Sequence, residues 1–422
     1  MKVEQLITDF DFHPIMRLSR GPKYSSDVGI RTIPPTETLE RALPLLDVAG
    51  LCELQDISTT DRIGIPVWSI SRANPTEGAV SNYNGKGPTK EQAMASAVME
   101  AMERYSAEQR DCDEIVMGTF TEMSSRGLTV DPRGLILPMR TYDYVMDQPI
   151  AWTRGYEMFR GEQAWVPANA VFHPYFCKGD LQLFRYHTNG IASGNTMEEA
   201  VLHALLELVE RDAWSISDFR DHVNADVIVR DEDSVCNRLM RQCEENGVVI
   251  HLKDLTSDLG IPTIGAAADD VETEDPELLV IGVGTHLNPE VAAVRAITEV
   301  AQSRTTHCHG VKANPKTQKI VQEMGYDKIK RINRKWYSPS GRETVLEDMQ
   351  RLDTPYVLDD IEVVLGSLVE NGFEMVVAVD LTRDEIGVPT VRMVVPGLEV
   401  YTMDPEREGP RLKGLWPLTK VH

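Results

Sequence analysis

Residues 196–215 read Thr-Met-Glu-Glu-Ala-Val-Leu-His-Ala-Leu-Leu-Glu-Leu-Val-Glu-Arg-Asp-Ala-Trp-Ser. The stretch has the period of a helix that is apolar almost all round, with Thr196 as its N-cap. Its acidic residues are not scattered. Glu199, His203, Glu207 and Glu210 are spaced 4, 4 and 3 apart and fall within about one quarter of the helix circumference. A polar strip this narrow on an otherwise buried helix faces a site rather than bulk water.

Two other segments repeat the pattern without gaps when the caps Thr89, Thr196 and Asn288 are taken as position zero. Four residues on stand Ala93, Ala200 and Ala292; eleven on stand Glu100, Glu207 and Glu299; fourteen on stand Glu103, Glu210 and Gln302. Residues three apart on a helix are neighbours on one face, so each pair presents two oxygen ligands to one place. The plain alternative is that each Glu is a solvated helix residue, as most are. Thr196-x-x-Glu199 also has the form of a capping box, with Thr89-x-x-Gln92 as its counterpart, so part of the match is helix-start chemistry. The shared register of the pairs at positions eleven and fourteen has no such explanation. Clustered carboxylates repel one another unless a cation is present, which makes a divalent metal the economical reading. Oxygen ligation without Cys favours magnesium over zinc, and magnesium held by few carboxylates completes its shell with water and phosphate.

Just before the first repeat lies Ser81-Asn82-Tyr83-Asn84-Gly85-Lys86-Gly87-Pro88-Thr89, and before the second Asn189-Gly190-Ile191-Ala192-Ser193-Gly194-Asn195. Glycines, an amine and the positive end of a helix suit a phosphate. The first segment is not a Walker A loop, because Gly87 rather than Ser or Thr follows Lys86.

With 43 basic against 66 acidic residues and a formal charge of −23, the average surface repels nucleic acid. The run Lys328, Lys330, Arg331, Arg334, Lys335 with Trp336 and Tyr337 reads as a solvated helix face rather than a ligand surface. The start MKVEQLITDF has no apolar signal core and no run approaches the roughly 20 apolar residues of a membrane span, which predicts a cytoplasmic protein. Six cysteines without CxxC pairs read as mostly buried free thiols, and His307-Cys308-His309 as a structural loop.

Strand-like runs span 62–69, 115–120, 163–172, 247–254, 277–284, 375–381 and 390–395. Helical patterns span 89–109, 196–215, 233–245, 288–302 and 358–370, and 151–172 reads as a hairpin. The expected class is α+β, with mixed or antiparallel sheets and three Glu-bearing helices around the site. Residues 1–75 read as an N-terminal segment contributing to that site, 76–405 as the main domain and 406–422 as a tail.

Together, Ser81 to Gly87, Glu100-x-x-Glu103-Arg104, Gly194-Asn195-Thr196-x-x-Glu199, Glu207-x-x-Glu210-Arg211-Asp212 and Glu299-x-x-Gln302-x-Arg304 resemble the YcaO family. The resemblance runs through most of residues 60 to 400 and implies ATP-dependent modification of peptide backbone amides. It implies that Glu100, Glu103, Glu199, Glu207 and Glu210 hold magnesium and phosphates, with Asn195, Gln302 and Arg304 nearby, and that Arg31, Thr38 and Ser81 contact the nucleotide. Lys86 or Arg304 would add positive charge at the transferred phosphoryl group.

Azoline-forming members carry alternating prolines at the C-terminus, whereas this chain ends Gly414-Leu415-Trp416-Pro417-Leu418-Thr419-Lys420-Val421-His422. Arg31-Thr32-Ile33-Pro34-Pro35-x-Glu37-Thr38 and Asp61-Arg62-Ile63-Gly64-Ile65-Pro66-Val67 resemble the methanogen-type branch. That branch implies glycine thioamidation in methyl-coenzyme M reductase, with sulfide or a sulfur carrier, a TfuA-like partner and a homodimer. An azoline-forming cyclodehydratase, a catalytically silent peptide-binding scaffold, and an ATP-dependent ligase or kinase of another type stay open beside it.

Overall fold

The computed structural model describes residues 16, 18–24, 31–310 and 314–416. The N-terminal stretch read for a signal core and the tail from Pro417 onward lie outside the described residues.

Three sheets carry the chain. In the first, β1 (Leu51–Asp56), β2 (Val67–Arg72) and β3 (Asn82–Lys86) form an antiparallel meander, preceded by helix α1 (Pro35–Ala42). In the second, the order is β11 (Ile281–Thr285), β10 (Thr263–Asp270), β9 (Val248–Asp254), β8 (Ala225–Ile228) and β12 (Glu343–Val345). Its pairs are antiparallel except for β12 on β8. In the third, the order is β4 (Val116–Gly118), β5 (Ile150–Glu157), β13 (Val377–Asp380), β14 (Thr390–Val394) and β7 (Ile191–Ser193), with β6 (Glu162–Pro167) closing the expected hairpin on β5. The class is α+β with antiparallel and mixed sheets, as expected.

The three Glu-bearing helices are α2 (Lys90–Ser106), α3 (Met197–Arg220) and α5 (Pro289–Cys308); α4 (Val235–Glu244) packs on α5 and α6 (Val357–Glu370) on α3. Their caps are those read from the sequence: Thr89, Thr196 and Asn288 each accept a hydrogen bond from the first turn. On α3, Leu202, Leu205 and Leu206 are buried to within one per cent, each contributing about 1.5–3 kcal/mol of transfer free energy.

A strand leads directly into each repeat helix: β3 into α2, β7 into α3 and β11 into α5. The alanine four residues past each cap marks where strand and helix touch. A Cβ at Gly85 would lie 2.3 Å from Ala93 O and 1.9 Å from Ala97 N, and one at Gly284 would lie 2.2 Å from Ala292 O. Backbone approach that close requires glycine on the strand and a small residue on the helix.

Several expectations are corrected. The segment Asn82–Lys86, read as a phosphate loop, is strand β3, its polar residues tolerated because Asn84 bonds across to α5. Strand β10 escaped notice because Thr-Ile-Gly-Ala-Ala-Ala-Asp-Asp has little β-branched content, yet all of it is buried. His307 and Cys308 belong to the last turn of α5, not to a loop. Only Cys236 and Cys243 are buried; Cys52, Cys112 and Cys308 are exposed. The basic run is helical, but Lys330 and Lys335 are taken up by Asp269 and Asp218 at 2.6 and 2.8 Å, and Trp336 is buried. Among the described residues no helix is long and apolar enough to cross a membrane.

Candidate active site

The faces of α2, α3 and α5 converge on a cavity of about 420 Å³. Glu100 and Glu103, Glu207 and Glu210, and Glu299 and Gln302 all line it, so the two repeat positions that carried the reading meet in space. Lys86, Arg31, Thr38 and Asn195 line it as well. Beside the acidic strip stand Arg104, Arg211 and Arg295, which the sequence reading gave no role in the site. The signal was present: seven residues past the caps stand Ser96, His203 and Arg295, and all three line the cavity.

The carboxylates are held differently from one another. Glu103 faces Arg104 Nη1 at 2.8 Å and accepts from the Ser193 amide at 3.0 Å. Burial nevertheless pushes its pKa up to about 8, outweighing the pull of Arg104. Burial also raises Glu207 and Glu210, against neighbouring arginines. Glu210 accepts from the Thr285 amide at 2.9 Å, which ties α3 to the end of β11. Across the cavity Lys86 Nζ lies 3.3 Å from Glu299 Oε2.

Three predicted residues are placed elsewhere. Glu199 does not complete a capping box, although Thr196 Oγ1 accepts from its amide. Its carboxylate instead receives the Thr32 amide and hydroxyl, the Asn195 amide and side chain, and Arg31 Nη1 at 3.3 Å. Burial alone would raise its pKa, but these donors hold it below the ordinary value. It anchors Arg31 and Asn195 and has little capacity left for a metal. Ser81 is exposed at the start of β3 and outside the cavity. Arg304 is fully buried, with Nε 2.7 Å from Asp61 and Nη2 3.1 Å from Asp270, so it joins the first sheet to the second rather than facing the site.

Among the described residues no three His, Cys, Asp or Glu side chains converge closely enough to hold a cation by themselves. The donor set still fits magnesium carried by a nucleotide. Burial raises the pKa values of Glu103 and Glu207, so a cation beside them would favour their ionised forms, and magnesium ordinarily takes one or two carboxylates and fills its shell with phosphate and water. The cations fit the phosphates: Nε of Arg211 and of Arg295 are buried without a hydrogen-bond partner. Glu100, Glu103, Glu207 and Glu210 would hold the metal, and Lys86 and the arginines the phosphate oxygens.

Comparison with known proteins agrees with this geometry. A family model described as YcaO cyclodehydratase, ATP- and Mg2+-binding, matches residues 84–399. An uncharacterized protein of Methanothermobacter thermautotrophicus is 45% identical over 386 residues, covering 91% of this chain and 98% of its own. An uncharacterized protein in the tfuA 3' region of Rhizobium leguminosarum is 30% identical over 395 residues, covering 91% and 92%. The solved structure of YcaO from Methanopyrus kandleri bound with AMPPCP and Mg2+ superposes with a TM-score of 0.77 at 31% identity, over 93% of this chain and 98% of that one.

Proposed function

Because the chain belongs to the YcaO family, which binds ATP and Mg2+ and acts on peptides, we propose that its acidic cavity uses ATP to activate a backbone amide and install a thioamide. The observation that carries the reading is the meeting of three Glu-bearing helices on one cavity, where burial holds Glu103 and Glu207 above their ordinary pKa values. When bound, ATP with magnesium supplies a phosphoryl group to the amide oxygen, which then departs as phosphate while a sulfur nucleophile takes its place. An amide oxygen is a poor leaving group without that step.

The chain's own residues contribute position and charge. Glu100, Glu103, Glu207 and Glu210 offer carboxylate oxygens from two helices fixed by their strand contacts. Lys86, Arg104 and Arg295 bring preorganised positive charge to the same cavity. Asn195 and Arg31 are held in place through Glu199. Thr38 lines the same cavity with its hydroxyl bonded to Pro34 O at 3.3 Å.

The thioamide reading, on a glycine of methyl-coenzyme M reductase, draws support from the methanogen relatives. The relative from a tfuA region supports a TfuA-like partner that delivers sulfide or another sulfur source. A homodimer and a cytoplasmic setting complete the proposal; light scattering at micromolar concentration checks the first. The decisive measurement is the mass of the substrate peptide in cells with and without the protein. Exchange of oxygen for sulfur adds about 16 daltons, and oxidation must be excluded as a mimic. Loss of water identifies azoline formation, and a peptide of the same mass in cells with and without the protein refutes the substrate. For the ATP site itself, Glu100→Gln and Glu207→Gln, checked for folding, are expected to weaken ATP and magnesium binding together in calorimetry.

A further inference from the structure

Between two arginines of the cavity stands His203, seven residues past its helix cap. Its Nδ1 lies 3.3 Å from Arg31 Nη2, and its Nε2 lies 3.4 Å from Arg295 Nη2. Burial and the two guanidinium charges keep its pKa well below the ordinary value, so the ring is neutral. A neutral imidazole has one donor nitrogen and one acceptor nitrogen, whereas a guanidinium only donates. One of the two contacts therefore sets N–H against N–H.

The surroundings decide which. Arg31 has the Glu199 carboxylate 3.3 Å from its other terminal nitrogen. Arg295 has a buried Nε without a partner, and His203 is the one hydrogen-bond acceptor for its side chain among the described residues. The base of Arg295 cannot move away, since it packs where a Cβ on Gly284 would come within 2.7 Å of its own. The ring acceptor is most needed at Arg295, which leaves the ring proton on Nδ1, facing Arg31.

We infer that His203 is a positioning residue: bare at Nε2, it holds Arg295 in place, and protonated at Nδ1, it denies Arg31 Nη2 a partner and keeps that donor free for an anionic oxygen entering the cavity. The inference rests on the ATP reading, in which that oxygen belongs to a phosphate. It makes the arrangement of both arginines a property of one ring tautomer.

Two measurements on the full chain test it. Long-range proton–nitrogen NMR of the histidine rings, with His203 assigned by its absence in His203→Gln, is expected to show the proton on Nδ1; a proton on Nε2, or on both nitrogens at neutral pH, overturns the inference. Calorimetry with AMPPCP and magnesium then compares three folded variants. His203→Gln keeps an acceptor near the Nε2 position and is expected to bind within about threefold of the natural chain, whereas His203→Asn and His203→Leu lose about tenfold, the value of one charge-assisted hydrogen bond. Equal affinities for Gln and Asn, or an unaffected Leu variant, overturn the role of His203 while leaving ATP binding intact. A natural chain that binds no nucleotide overturns the ATP reading and this inference with it.

Discussion

Replacing Arg304 by Met separates a structural arginine from a nucleotide ligand. Arg304 is fully buried and reaches Asp61 through two nitrogens, at 2.7 and 3.1 Å, and Asp270 at 3.1 Å. Met has similar reach and needs no hydrogen bonds, so the main cost of Arg304→Met is electrostatic. Asp270 keeps Arg62 and the Thr273 amide, but Asp61, 3% exposed, loses its only side-chain hydrogen-bond partners among the described residues. Breaking a buried pair in this way costs about 3–5 kcal/mol. With an unfolding entropy of about 2.1 cal/mol/K per residue, a chain of 422 residues melting as one unit carries about 0.9 kcal/mol/K, so Tm should fall by about 3–6 °C. Scanning calorimetry reads that shift, and titration with ATP and magnesium at 25 °C should find the affinity of the folded variant little changed. Adding Asp61→Leu should recover most of the loss, because the orphaned charge is then gone. A variant with unaltered Tm that no longer binds ATP would refute the reasoning and return Arg304 to the nucleotide.

Burial works to raise the Asp270 pKa, but hydrogen bonds from Arg62 and Thr273, with Arg304 nearby, bring it down to about 2. A carboxyl lowered on folding stabilises the protein above its unfolded value and loses that contribution as pH falls toward the folded one. About 2 kcal/mol should thus disappear between pH 4 and 2; urea melts should show it in the natural chain and a flatter profile in Asp270→Asn. Gly85→Ala should abolish folding or cost well over 3 kcal/mol, because the new Cβ meets the backbone of Ala97 at 1.9 Å rather than a movable side chain; a soluble variant with natural circular dichroism and Tm would contradict the strand–helix contact. Lys86→Met should lower ATP affinity about tenfold while changing stability by less than about 1 kcal/mol, since its pair with Glu299 is partly exposed; an unchanged Kd would remove Lys86 from the phosphates.

The parts governed by short-range chemistry were legible in the amino-acid order alone. Helix caps depend on one side chain and the turn that follows it, so Thr89, Thr196 and Asn288 were legible, and with them the register that puts Glu100, Glu207 and Glu299 in equivalent places. Convergence of those faces followed from repetition, because equal strand–helix units pack in equal ways. Only the tertiary structure decided which charges are used up by other protein groups. Arg304 stands sixteen residues past its cap, one further than Arg104 and Arg211 past theirs, and Asp61 from the β1–β2 connection and Asp270 from β10 bury it. Glu199 has the spacing of a metal ligand, but Thr32 and Arg31, more than 160 residues earlier, occupy it. Strand β3 was hidden because polar residues are poor evidence for a strand until one helix, α2, covers one face and another, α5, supplies Asn84 with a partner. Long-range pairing of charges has no periodicity, so nothing in the local pattern announces it; it is fixed by where the sheets bring the chain together.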